Sequence, residues 1–295
     1  MDQNQIPNKT HLPLKSHYSM QELLDIMALL RAPDGCPWDR EQTHRSLKPH
    51  LIEEAYEAID AIDSENPERL CDELGDVLMQ VVFHAQIASE NDQFDFSDVM
   101  TAISRKLISR HTHIFGDDQA ATAEEVLATW EKNKRQEKGQ KRQSEVLADL
   151  PRHLPALQRS YKIQQRAARV GFDWPDPSGP LDKIHEELAE IVDCLAGSNS
   201  QDADGRVDQS TGSGATLPSE HLMDEVGDLL FAVVNYARHL GVQPELALDR
   251  ASNRFVQRFS LMEHQAEAAG DDLADLTLEQ LDQLWDQAKE KEKAK

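Results

Sequence analysis

A chain of 295 residues is long enough for two ordinary domains, and a formal net charge of −23, from 54 Asp+Glu against 31 Lys+Arg, repels polyanions and argues against a nucleic-acid-binding module. Cys36, Cys71 and Cys194 are widely spaced and form no C-x-x-C pair, which argues against a disulfide framework or a zinc cluster and fits a reducing cytosol. Residues 1–15 lack the apolar run of a signal peptide, and no later segment approaches the ~20 apolar residues of a membrane span, so a cytoplasmic protein without membrane association is expected.

Apolar residues recur at helical spacing from the start, as in Leu23, Leu24, Met27 and Leu30, and strand-like alternation is nearly absent; an all-α protein is expected. Breakers at Pro33-Asp34-Gly35 end this first helix. The next spans Ile52, Ala55, Tyr56, Ile59 and Ile62 and carries Glu53-Glu54-x-x-Glu57. Beyond Asn66-Pro67 lies a helix with Glu73 and Asp76 set among Leu74, Val77, Leu78, Met79, Val81, Val82 and Phe83. That helix is apolar nearly all round, which predicts that it is buried with its acids. The pair His111 and His113 reads as incidental. The charged run from Glu131 to Gln143 is a connector, giving helical domains at 16–138 and 139–295.

In the second half the pattern returns. Glu186-Glu187-x-x-Glu190 and then Asp224-Glu225-Val226-Gly227-Asp228 repeat the earlier acids, Asn253 to Arg258 match Arg105 to Arg110, and Trp285 matches Trp130. Between the acid pairs the second copy carries an insertion, 197–218, rich in Gly, Ser, Asp, Gln and Thr. Such a composition buries little apolar surface and predicts a mobile loop.

Residues three apart on a helix share a face, so Glu187 with Glu190, and Glu225 with Asp228, each present two carboxylates together. Two antiparallel helices aim both pairs at one point, as do Glu54, Glu57, Glu73 and Asp76 in the first copy. Four clustered carboxylates repel unless a cation neutralises them, and an all-oxygen set suits Mg²⁺, with Mn²⁺ as a substitute. Magnesium held by carboxylates points to phosphate chemistry on a small molecule, and no P-loop is present. Lys183, one turn before Glu187, and Arg254 and Arg258, one turn apart, are the cations available for phosphate.

Glu-Glu-x-x-Glu, then Glu-Leu-Gly-Asp or Glu-Val-Gly-Asp, preceded by Gly35-Cys36-Pro37-Trp38-Asp39, resembles the MazG family over roughly residues 18 to 290. The resemblance implies two tandem all-α NTP pyrophosphatase bundles, a homodimer, and the reaction NTP + H₂O → NMP + pyrophosphate by attack of water at the α-phosphate. It places the metal on Glu187, Glu190, Glu225 and Asp228. Nucleotide contacts then fall on Lys183, Ile184, His185, Glu186 and Glu187, on His221, Leu222, Met223, Asp224 and Asp228, on Arg254, Phe255, Val256, Gln257 and Arg258, and on Trp285. The second copy is the one credited with catalysis; in the first, His50 stands at the position of Lys183 and Lys106 at that of Arg254. Two alternatives remain open at this point: a nucleotide-sensing scaffold that does not cleave, and a narrow housecleaning pyrophosphatase for modified or deoxy nucleotides.

Overall fold

The computed structural model describes residues 12, 14–201 and 219–293, with the side chains of 197–201 and 293 left aside. The chain divides into two compact units, Met1–Lys134 and Arg135–Lys295. Among the described residues there are thirteen α-helices and one 3₁₀ turn, and no strand.

The first unit contains α1 (Met20–Arg31), α2 (Pro37–Glu41), α3 (Lys48–Asp63), α4 (Pro67–Glu90), α5 (Phe96–Arg110), α6 (Thr112–Phe115) and most of α7 (Ala123–Glu137). Local sequence sets these boundaries. Ser19 and Glu22 form a capping box on α1, and Asn66 accepts from the amides of Glu68 and Arg69 just ahead of Pro67. Between α1 and α2 the chain turns so tightly that a Cβ on Gly35 would collide with the carbonyl oxygens of Leu29 and Leu30. α3 and α4 pack as a hairpin, and α1 lies against α4. Their core is Met27, Leu47, Val82, Phe83 and Ile87, flanked by Leu23, Leu24, Leu78, Met79 and Phe96. Arg31, its side chain only 6% exposed, crosses from α1 to Glu90 on α4 at 2.7 Å and lies over the Phe83 ring.

The second unit repeats the plan with α8 (Gln143–Ala148), α9 (Ala156–Ala168), α10 (Ser178–Gln201), α11 (Glu220–His239), α12 (Pro244–Ala269) and α13 (Leu278–Lys293). α10 and α11 stand where α3 and α4 stand in the first unit; α9 packs on α11, and α12 on α13. Gly270, at φ +84°, closes α12 in the left-handed conformation that glycine adopts freely. Asp173, in the link from α9 to α10, receives Arg238 and His239 from the end of α11, which pins that link in place.

Two expectations are revised. The insertion was expected to be a loop from Gly197, yet α10 runs on to Gln201, because a long helix propagates easily through Ser and Asn where no proline follows. The rest of that segment, 202–218, lies outside the described residues. Nor are the second acid-bearing helices buried all round. On α11 only Ala232 and Val234 are buried, while Val226, Leu230, Phe231 and Val233 are each more than 40% exposed. The helix packs one side on α9 and α10, and a helix that is apolar all round then has a face left over.

Candidate functional site

Each hairpin gathers three carboxylates. On α3 and α4, oxygens of Glu54, Glu57 and Glu73 all lie within 4.8 Å of one another, and on α10 and α11 those of Glu187, Glu190 and Glu225 do the same. The fourth acid of each quartet stands outside its group: Asp76 is half-buried and Asp228 exposed. Asp76 is still close enough for its charge to act on Glu54, whose carboxyl is pushed above the usual range by burial first and by Asp76 next. Glu190 is pushed up as well, by partial removal from water and then by the carboxylates of Glu187 and Glu225.

Glu187 is the buried member of the second cluster, 5% exposed. One helical turn earlier, Lys183 reaches it at 2.5 Å and Glu186 at 3.1 Å, and the Glu187 hydrogen bond is the main reason the ammonium is held well above its ordinary pKa. His221 approaches Glu225 at 3.2 Å from the same spacing on α11. The first copy exchanges these positions. There Arg69 faces Glu73 at 3.6 Å, and His50 turns to Glu53 at 3.5 Å rather than to Glu54. A cation on one helix and a histidine on the other thus flank both clusters, with the helices swapped.

The remaining residues assigned to nucleotide form a second group. Phe255 packs on Trp285 at 5.0 Å between ring centroids, Arg258 lies over the same indole at 5.7 Å, and Arg258 pairs with Glu292 at 2.6 Å. Trp130 repeats this, under Arg110 at 5.1 Å and Lys134 at 4.9 Å. Arg254, Val256 and Gln257 are exposed on α12. Among the described residues no hydrogen bond or ion pair joins Arg254, Arg258 or Trp285 to the acid cluster. Ile184 and Leu222 are half-buried, and His185, Met223 and Asp224 are exposed.

Two residues beside the clusters were missed from sequence. Gln80 on α4 is 3% exposed and donates to Glu54 at 3.4 Å. Cys194 on α10 lies one turn beyond Glu190, its thiol pushed up by burial and then by Glu225, Asp193 and Glu190. Helical spacing was the available signal: Gln80 is four residues past Asp76, and Cys194 four past Glu190.

The donor set is chemically uniform, with carboxylate oxygens clustered closely enough to hold two carboxyls above their normal range, and it fits a hard divalent cation. Duplicated all-helical hairpins that converge carboxylates in this way define a class: all-α proteins with acid-lined candidate centres for a divalent metal. The model of the MazG nucleotide pyrophosphohydrolase domain matches residues 42–115, the span of the first hairpin and α5. Over 274 residues, 92% of this chain and 98% of the relative, the sequence is 44% identical to a nucleoside triphosphate pyrophosphohydrolase of Escherichia coli K12. It is also 46% identical over 269 residues, 91% of this chain and 95% of the relative, to the nucleoside triphosphate pyrophosphohydrolase/pyrophosphatase MazG of Thermotoga maritima. The chain belongs to the MazG family.

Proposed function

We propose that this protein is a magnesium-dependent nucleoside triphosphate pyrophosphohydrolase, releasing NMP and pyrophosphate, with the second copy as its active centre. The observation that carries the assignment is the Glu187, Glu190 and Glu225 cluster with Lys183 fixed on its buried member. Two relatives matched over nearly their whole length bear the name of this activity, which supports the reaction.

A bound Mg²⁺ would neutralise charge on the phosphate oxygens and activate water for attack at the α-phosphorus. The chain's own part is to hold Glu187 in a single orientation through Lys183 and to keep the carboxylates converged without help from substrate. With a cation held by Glu187, Lys183 would be the ammonium placed to meet phosphate. Arg254, exposed on α12, supplies a second cation, and Trp285 with Phe255 supplies an aromatic surface for the base. Exposed apolar residues on α10 and α11, including Leu188, Val192, Val226 and Leu230, support a homodimer.

The test is product analysis after incubation with each of the common NTPs and dNTPs and Mg²⁺. NMP and pyrophosphate in equal amounts, lost on chelation, are expected; NDP with orthophosphate refutes the reaction.

A further inference from the structure

The two hairpins are not equivalent around their first acid. In the second, Glu187 is held by an ammonium from its own helix, whereas in the first its counterpart Glu54 is held by a neutral amide from the opposite helix, Gln80. Gln80 lies four residues beyond Asp76 and seven beyond Glu73, on the face of α4 that meets α3. The residue at the same register on α11 is Ala232, four beyond Asp228. Among the described residues no side chain of α11 replaces that amide.

Gln80 is also half satisfied. Its Nε2 donates to Glu54 at 3.4 Å, while its Oε1, fully withdrawn from solvent, has no hydrogen-bond partner among the described residues. A buried carbonyl oxygen without a donor is unfavourable and calls for a partner. Carboxamide oxygens are ordinary ligands of hard divalent ions and of the water such ions carry. The unpartnered oxygen belongs to the same amide that touches Glu54, within a group whose three carboxylates already lie within 4.8 Å of one another. Arg69 pairs with Glu73 at 3.6 Å and not with Glu54, whose hydrogen-bond partner is the neutral Gln80 amide.

We infer that Gln80 is a positioning residue of a divalent-cation site peculiar to the first copy, formed with Glu54, Glu57 and Glu73 and able to load in the absence of nucleotide. The inference rests on the reading that these acid clusters take a divalent cation. Gln80 orients Glu54 through its Nε2, and its Oε1 meets the cation or its water. An ammonium on Glu54 would oppose a cation arriving without phosphate; an amide does not.

The experiment is Mn²⁺ binding to the full chain without nucleotide, read by titration calorimetry and by the shift in melting temperature. Gln80→Met keeps the volume and removes both polar atoms, and Gln80→Ala installs the residue found at 232. Gln80→Glu restores an oxygen at the same reach. Wild type is expected to bind Mn²⁺ in a class that Glu187→Ala leaves unchanged. Gln80→Met and Gln80→Ala should weaken that class about tenfold or more, as loss of an outer partner of a metal ligand does, and Gln80→Glu should recover it. The metal-free melting temperature of Gln80→Met should stay level or rise, because an unsatisfied buried oxygen is gone. Unchanged Mn²⁺ affinity in Gln80→Met and Gln80→Ala overturns the inference and leaves Gln80 Oε1 to an ordinary water. A class abolished by Glu187→Ala overturns it too, since the ion then sits in the second copy. No Mn²⁺ binding to wild type at all refutes instead the reading of the clusters as metal centres.

Discussion

Glu187 is the side chain on which the proposed second-copy site depends most. It is buried, it belongs to the carboxylate cluster, and it takes the ammonium of Lys183 at 2.5 Å. Glu187→Ala should lower NTP turnover by about 100-fold or more, since even outer partners of metal ligands contribute 10–100-fold in affinity or activity. Folding should survive, because the substitution also removes a repelling carboxylate and leaves Lys183 with Glu186. Turnover in Mg²⁺ and a thermal melt of the same sample check this; retained activity would displace Glu187 from the site. The acids themselves were legible as residues, through spacing three apart on two helices repeated in both halves. Gln80 was not: its spacing four residues past Asp76 puts it on the acids' face, but only the fold shows that its amide reaches Glu54 and that its oxygen is unpartnered. Asp76 and Asp228 were read as equals of the other acids, but each stands outside its 4.8 Å group, and sequence spacing does not resolve that difference.

At the scale of helices, the pair Arg31 and Glu90 ties α1 to the far end of α4. The Arg31 guanidinium beside Glu90 holds that carboxyl below its ordinary range. A carboxyl with a lowered folded pKa contributes stability above the unfolded value, here about 4.5, and loses it as pH falls through the folded value. Glu90→Gln should therefore lower stability at pH 7 by about 1–3 kcal/mol, with the difference from wild type closing toward pH 3. Melting curves across that range give the result, and a difference that persists at pH 3 would mean lost packing rather than lost charge. Helix identity and order were legible from period and from breakers such as Pro33-Asp34-Gly35 and Asn66-Pro67. Which face of α11 is covered was not, because an all-apolar helix looks the same whether its last neighbour comes from its own chain or elsewhere. The run of α10 to Gln201 was likewise hidden, as Ser and Asn are neutral enough to follow a helix already formed.

For the molecule as a whole, the exposed apolar residues of α10 and α11 are more than isolated surface positions. Leu188, Val192 and Leu195 on one helix and Met223, Val226 and Leu230 on the other are each more than 40% exposed. Leu230→Glu should convert a homodimer into a monomer, measured by sedimentation velocity, with helix content unchanged by circular dichroism; a wild-type chain that sediments as a monomer refutes the dimer. Among the described residues no helix is long and apolar enough to cross a membrane, so these faces are not spans. The duplication also leaves the halves unequal in time. Glu54 and Glu73 are separated by nineteen positions along the chain, and Glu187 and Glu225 by thirty-eight. In the unfolded ensemble each doubling of a closed loop adds about 0.6 kcal/mol, and contacts of longer range form more slowly. As the polypeptide leaves the ribosome, the first hairpin is complete before α10 has been translated. By the time the longer second hairpin can close, the whole sequence of the first has already been made.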